Sequence, residues 1–169
     1  VIDFFVPFSN VYFEKSLSIS TRIGFNINIA KSLHGISVIH SSRGNTFKAI
    51  EILQKALLIS KDIDTIHAAG LLTDIGIQYQ ALGNYPKALE YFHESLKLCE
   101  RLEDNNNKTI FIKAGTYNNL GRNYIFERDY EKALGFYQLS LDLYIELNNK
   151  INIAKLYNNI GVVYMEQAN

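Results

Sequence analysis

A chain of 169 residues that is 47% hydrophobic can bury one continuous core, and two prolines and ten glycines leave room for long helices. Seventeen basic residues balance seventeen acidic ones, so no charge excess draws the chain to nucleic acid or to an anionic membrane. A single cysteine, Cys99, excludes an internal disulfide, and no stretch approaches the roughly 18 apolar residues of a membrane span.

The opening Val1–Phe8 segment is apolar but short, carries Asp3 and has no basic leader, so it does not read as a signal peptide. The chain lacks an initiator methionine and is expected to be a piece of a longer protein. The first expected helix spans about 7–24. Shifted onto a later segment, Pro7 falls on Pro86, Phe13 on Phe92 and Ser16 on Ser95, so this helix reads as the second half of a two-helix unit. Helices near 27–43 and 46–62 follow, split at Arg43-Gly44-Asn45.

The next pair is expected near 65–83 and 85–103. Leu72, Ile75, Gly76 and Tyr79 recur at helical spacing and make one face. Gly83-Asn84 breaks the pattern, with Asn84 suited to cap the following helix and Pro86 placed in its first turn, where a missing N–H costs nothing. Ala88, Phe92, Ser95 and Cys99 carry on a second apolar face. The polar run Asp104–Lys108 reads as a lengthened loop, and its Asn105–Lys108 part is expected to be the most mobile internal segment. Helices near 109–128 and 130–148 flank Arg128-Asp129, and a last helix covers about 150–168.

These elements repeat. Lys48-Ala49-Ile50-Glu51, Lys87-Ala88-Leu89-Glu90 and Lys132-Ala133-Leu134-Gly135 recur after steps of 39 and 45 residues, and Ala154–Gly161 repeats its counterpart 40 residues on. Ser37, Gly76, Gly121 and Gly161 share one position in the first helix of each unit; Ala49, Ala88 and Ala133 share one in the second. Large residues stand beside them: Tyr79, Tyr124 and Tyr164, then Leu53, Phe92 and Tyr137. A glycine inside a helix costs about 1 kcal/mol against alanine, so glycines in register point to a close helix crossing.

This pattern resembles the tetratricopeptide repeat. The period near 40 and the absence of a closing proline, with Lys61, Glu100 and Ile145 at the matching places, resemble its longer subclass, found in kinesin light chains, spindle-orientation adaptors and bacterial peptide-pheromone sensors. The resemblance implies an all-α fold, a right-handed superhelix of antiparallel helix-turn-helix repeats. One array would fill 1–169: a partial repeat 1–26, repeats 27–64, 65–104 and 105–149, and a partial repeat 150–169.

No catalytic constellation is present. His34, His40, His67 and His93 lack metal-ligand spacing, and there is neither a nucleophile elbow nor a phosphate-binding glycine loop. His40 stands where other copies carry tyrosine and is expected in the core, His93 faces solvent, and Cys99 serves as a small buried hydrophobe. The expectation is therefore no enzyme, no metal and no cofactor. The chain reads as a scaffold in a larger cytoplasmic signalling or adaptor protein, binding a protein or peptide, not nucleic acid or membrane. Self-association through open repeat ends is expected too. The rival reading is a structural or dimerising sensory arm of a bacterial multidomain regulator, such as a histidine kinase, cyclase or transcription factor, with no peptide ligand.

Binding should fall on the first helix of each unit, which lines the concave side. The positions beside the core stripe are Lys31, His34, Gly35 and Val38, then Gly70, Thr73, Asp74 and Ile77, then Gly115, Asn118, Asn119 and Arg122, then Lys155, Asn158, Asn159 and Val162. Paired asparagines are poor helix formers, so Asn118-Asn119 and Asn158-Asn159 are not there for helix stability. Amides match the donors and acceptors of an extended backbone. In the resembled family an asparagine in Tyr-x-Asn-Leu/Ile-Gly holds ligand backbone, and Tyr117–Gly121 and Tyr157–Gly161 fit that motif. Asp74 and Gly35 replace it in the other copies. Asn119 and Asn159 are thus expected to face the groove as adjacent rungs, with Arg122 and Lys155 favouring an acidic group on the ligand and Val38, Ile77 and Val162 giving apolar contact. The alternative is that the asparagines hydrogen-bond between repeats.

Overall fold

The computed structural model describes the backbone of residues 2–102 and 106–168, with side chains from Ser9 onward. Among these residues there are eight helices: α1 (Ile2–Arg22), α2 (Asn26–Ser42), α3 (Thr46–Ser60), α4 (Thr65–Ala81), α5 (Tyr85–Glu100), α6 (Asn107–Phe126), α7 (Tyr130–Glu146) and α8 (Lys150–Gln167). The expected boundaries hold within a few residues except at α1. That helix begins at Ile2, which puts Pro7 inside it, where the ladder forgoes one N–H donor. Of the segment expected to be mobile, Asn105–Lys108, the first residue lies outside the described residues. In the remainder Asn106 Oδ1 accepts from the Lys108 and Thr109 N–H groups and caps α6, so Asn107 and Lys108 form its first turn rather than loop.

Local chemistry explains the other helix starts. Asp64, Asn84, Asp129 and Asn149 each accept from the backbone N–H three residues on, and Pro86 occupies the first turn of α5. The α4–α5 turn passes through Gly83 in the left-handed region at φ +71°, a conformation Arg128 adopts at the equivalent α6–α7 turn with φ +59°.

Successive helices pack antiparallel, α2 on α3, α4 on α5 and α6 on α7. Each of these hairpins stacks on the next, and α4 also touches α6. The result is an all-α superhelix of stacked hairpins. Its core repeats one crossing. Gly76 leaves the space that Phe92 fills, and Gly121 the space for Tyr137: a Cβ on either glycine would lie 2.5–2.6 Å from the facing ring. In the first hairpin Ser37 and Leu53, both buried, take the same two positions. Gly161 departs from this register, since it is exposed and a Cβ there would meet nothing within 4 Å.

Three further expectations need correction. Gly35 does not face the groove, because its Cβ position is occupied by the Phe13 ring of α1. The repeat end expected to be open at α8 is partly closed on the inner side, where Val163 and Leu156 pack into the cluster around Ala133, Tyr137 and Leu141. His40 is only partly buried, and its Nδ1 is buried with no hydrogen-bond partner among the described residues. His93 is exposed, and Cys99 is buried, which pushes its thiol pKa up to about 11.

Candidate functional site

Helices α2, α4, α6 and α8 form one face, joined by side chains that meet across successive hairpins. His34 Nε2 lies 2.8 Å from the Asp74 carboxylate. Asn159 Nδ2 donates to Asn118 Oδ1 at 3.0 Å. His34 and Asn118 occupy the same repeat position, and Asp74 and Asn159 the next one, so these are two copies of a single rung. The middle rung is missing. Thr73 turns its hydroxyl inward to Ser95 Oγ and Thr116 Oγ1, at 2.9 and 2.8 Å. Asn119 is only 8% exposed and donates to the Gly115 carbonyl of its own helix. Gln80 then crosses from α4 to the Asn119 carbonyl and to Asn123 Oδ1, closing the seam between α4 and α6.

Of the two asparagines expected in the groove, Asn159 therefore stands at its edge and Asn119 does not. The pair that meets is Asn118–Asn159. Among the described residues, neither Asn118 Nδ2 nor Asn159 Oδ1 has a partner. One donor and one acceptor are thus left side by side, the complement of a peptide unit. Arg122, Lys155, Asn158 and Asn159 do come together with Asn118, around a polar hollow of ≈ 550 Å³. Ile77 and Asp74 lie elsewhere, in a recess of ≈ 220 Å³ between α2 and α4 with Val38 and Leu53.

Lys31 and His34 line a larger cleft of ≈ 640 Å³, together with Ile66, His67 and Gly70 of α4 and Lys108, Phe111 and Ile112 of α6. Ile66, Lys108 and Phe111 were not among the expected site residues, yet a signal was there. Ile27, Ile66, Phe111 and Ile151 occupy one repeat position, one turn ahead of Lys31, Gly70, Gly115 and Lys155. An apolar residue recurring at a position outside the hairpin core marks a surface that something covers.

Charge on this face is one-sided. Asp64 is engaged in capping α4 and Asp74 by His34. Among the described residues, Lys31, Lys108, Arg122 and Lys155 take part in no ion pair. The net neutrality of the chain thus conceals a face with four cations outside any ion pair among the described residues, beside two acids, Asp64 and Asp74, that accept hydrogen bonds.

The histidines form a chain within the cleft. Ser60 Oγ lies 2.9 Å from His67 Nδ1, and His67 Nε2 lies 3.2 Å from His34 Nδ1. With both rings neutral, one tautomer of each satisfies all three bonds: Ser60 donates to His67, His67 to His34 and His34 to Asp74. Burial pushes the His67 pKa below its ordinary 6.5, aided by His34 and Lys31 and opposed by Asp64 and Asp74. The folded state then binds fewer protons than the unfolded chain between the lowered pKa and 6.5. Stability present above that window is lost as the pH falls through it. The urea midpoint is expected to drop on acidification from neutrality, with a flattened slope in His67→Gln. A wild-type midpoint that rises on acidification would contradict the assignment.

Among the described residues no group of three His, Cys, Asp or Glu side chains is placed to hold a metal ion, and no helix is long and apolar enough to cross a membrane.

Comparison with known proteins agrees with this architecture. Residues 69–102 and 114–151 each match a family model described as tetratricopeptide repeat. The chain is 31% identical over 97 residues to the human Intraflagellar transport protein 88 homolog, a match covering 57% of the chain and 10% of that protein. It is 34% identical over 92 residues to the Photosystem I assembly protein Ycf3 of Rippkaea orientalis, covering 54% and 45%. It thus spans less than half the length of either relative. The crystal structure of BtubC (BKLC) from P. vanneervenii superposes with a TM-score of 0.78 at 21% identity, over 96% of this chain and 66% of that one. A Signal Transduction ATPase with Numerous Domains from Pyrococcus horikoshii, described as having a tetratricopeptide repeat sensor, superposes with the same score of 0.78 at 20% identity, over 96% and 26%. These two likenesses are of fold.

Proposed function

We propose that this chain, a tetratricopeptide-repeat protein, is an interaction scaffold that holds an extended, acidic segment of a partner protein along the concave face of α2, α4, α6 and α8. The repeat fold is generally non-catalytic and generally serves protein–protein contact. The observation that carries the finer reading is the imbalance of that face. Lys31, Lys108, Arg122 and Lys155 are available, whereas Asp64 and Asp74 are already engaged. The half-satisfied Asn118–Asn159 rung supplies backbone recognition, and Ile66 and Phe111 supply apolar contact in the cleft. As in the P. horikoshii protein, whose repeats are described as a sensor, the array would be the recognising part of a larger signalling or adaptor protein.

Peptides selected from a random displayed library provide the test. Asn159→Ala and Arg122→Ala are each expected to weaken a selected peptide by about 1–3 kcal/mol, the loss of one charge-assisted or buried hydrogen bond. Asn119→Ala is the control, since that amide is spent on its own helix. Unchanged affinity in the first two variants, with helical content intact, would return the rung to a purely structural role.

A second reading, a dimerising arm, draws on α8, where Ile151, Tyr157, Tyr164 and Met165 are all more than half exposed. That surface serves self-association as readily as capture of another protein.

A further inference from the structure

The inter-helix recess occurs twice in register on the concave face, with different chemistry. Between α2 and α4 it is lined by Val38, Leu53, Asp74 and Ile77. Between α6 and α8 the equivalent positions are Arg122, Tyr137, Asn159 and Val162, around ≈ 170 Å³. Gln80 seals the seam that lies between them. The floor residue is Leu53 in one recess and Tyr137 in the other.

Tyr137 is fully buried, its ring lies over Gly121, and its hydroxyl has no hydrogen-bond partner among the described residues. A buried hydroxyl left unpaired destabilises a fold. Packing does not require it, because Phe92 fills the same slot over Gly76 with a plain phenyl ring. Burial also pushes the phenol pKa up to about 12, so the group stays a proton donor at neutral pH. Arg122, at the mouth of the same recess, is exposed and, among the described residues, in no ion pair.

We infer that the α6/α8 recess is a subsite for an acidic side chain, in which the Tyr137 hydroxyl donates to an aspartate or glutamate carboxylate held from above by Arg122. A cationic side chain is repelled there by Arg122, and an apolar one leaves the hydroxyl unpaired. An amide accepts only a weaker, uncharged hydrogen bond from Tyr137 and forgoes the ion pair. The α2/α4 recess, with Leu53 at its floor, lacks both donors. The two recesses therefore distinguish the ends of the groove and set the direction in which a partner segment lies.

This inference rests on the groove reading above, and the test separates the two. A random peptide library displayed on phage is panned against wild type and Tyr137→Phe. Wild type is expected to select peptides with an acidic residue at one fixed position. Tyr137→Phe is expected to lose that enrichment while keeping the others. For a selected peptide made with Glu or Gln at that position, wild type should prefer Glu by about tenfold, falling to about threefold or less in Tyr137→Phe, as one hydrogen bond to a charged group is removed. The thermal midpoint of Tyr137→Phe should equal or exceed that of wild type, which excludes unfolding as the cause. Peptides selected with an acidic preference that Tyr137→Phe leaves unchanged would overturn the subsite alone. No peptide enrichment by wild type would overturn the groove reading and the subsite with it.

Discussion

Phe92→Ala is expected to lower the stability of the fold by about 3–5 kcal/mol, the upper range for deleting a buried aromatic ring. Phe92 is 0% exposed and lies in the cluster of Ala88, Leu96 and Leu120. The size of the loss follows from what surrounds the void. Gly76 and Ala88 flank it, and neither has a side chain that could swing into the gap. The cavity would stay largely open, adding its own cost to the lost transfer free energy. Urea unfolding followed by helical circular dichroism reads the effect. A loss under about 2 kcal/mol would mean that α4 and α5 close together and that the crossing is more compliant than close packing implies.

Gly76→Ser is expected to destabilise by about 2–3 kcal/mol even though serine is the better helix former by about 0.5 kcal/mol. The steric term decides the sign. A Cβ at this position would lie 2.5 Å from Phe92 Cε1, and that ring has no solvent side into which to retreat. The chain itself contains the remedy. The first hairpin uses Ser37 with Leu53 in the same two places, both buried. Adding Phe92→Leu to Gly76→Ser should therefore recover part of the loss, with a coupling energy of at least about 1 kcal/mol in a double-mutant cycle. Additive losses would show that the small and large residues are not matched across the crossing.

Much of this was legible before any coordinates. Caps such as Asn84 and Asp129 act within three residues of themselves, so their effect is visible in a short window of sequence. The helical period is equally local, and repetition multiplied its signal: Gly76 with Phe92 was one pair, and its recurrence as Gly121 with Tyr137 made it a packing rule. The recurring apolar position at Ile66 and Phe111 was present too, but reading it required knowing that the core stripe lay elsewhere on the helix.

The orientation of the candidate site was decided only by the tertiary structure. Neighbouring residues on a helix point about 100° apart, so Asn118 and Asn119 cannot both face the same partner. Which one does depends on how far each hairpin is displaced against the last. That displacement brings Asn118 to Asn159 and His34 to Asp74. In the middle seam the hydroxyls of Thr73 and Thr116 draw together instead, Asn119 folds onto its own helix, and Gln80 closes the gap. The histidine chain from Ser60 to Asp74 likewise joins residues of three helices, each unremarkable in its own segment. The helices and their register follow from interactions between residues close in the chain. The meeting of Asn118, Arg122, Lys155 and Asn159, and a buried Tyr137 hydroxyl without a hydrogen-bond partner among the described residues, follow from contacts across hairpins, whose geometry no local pattern encodes.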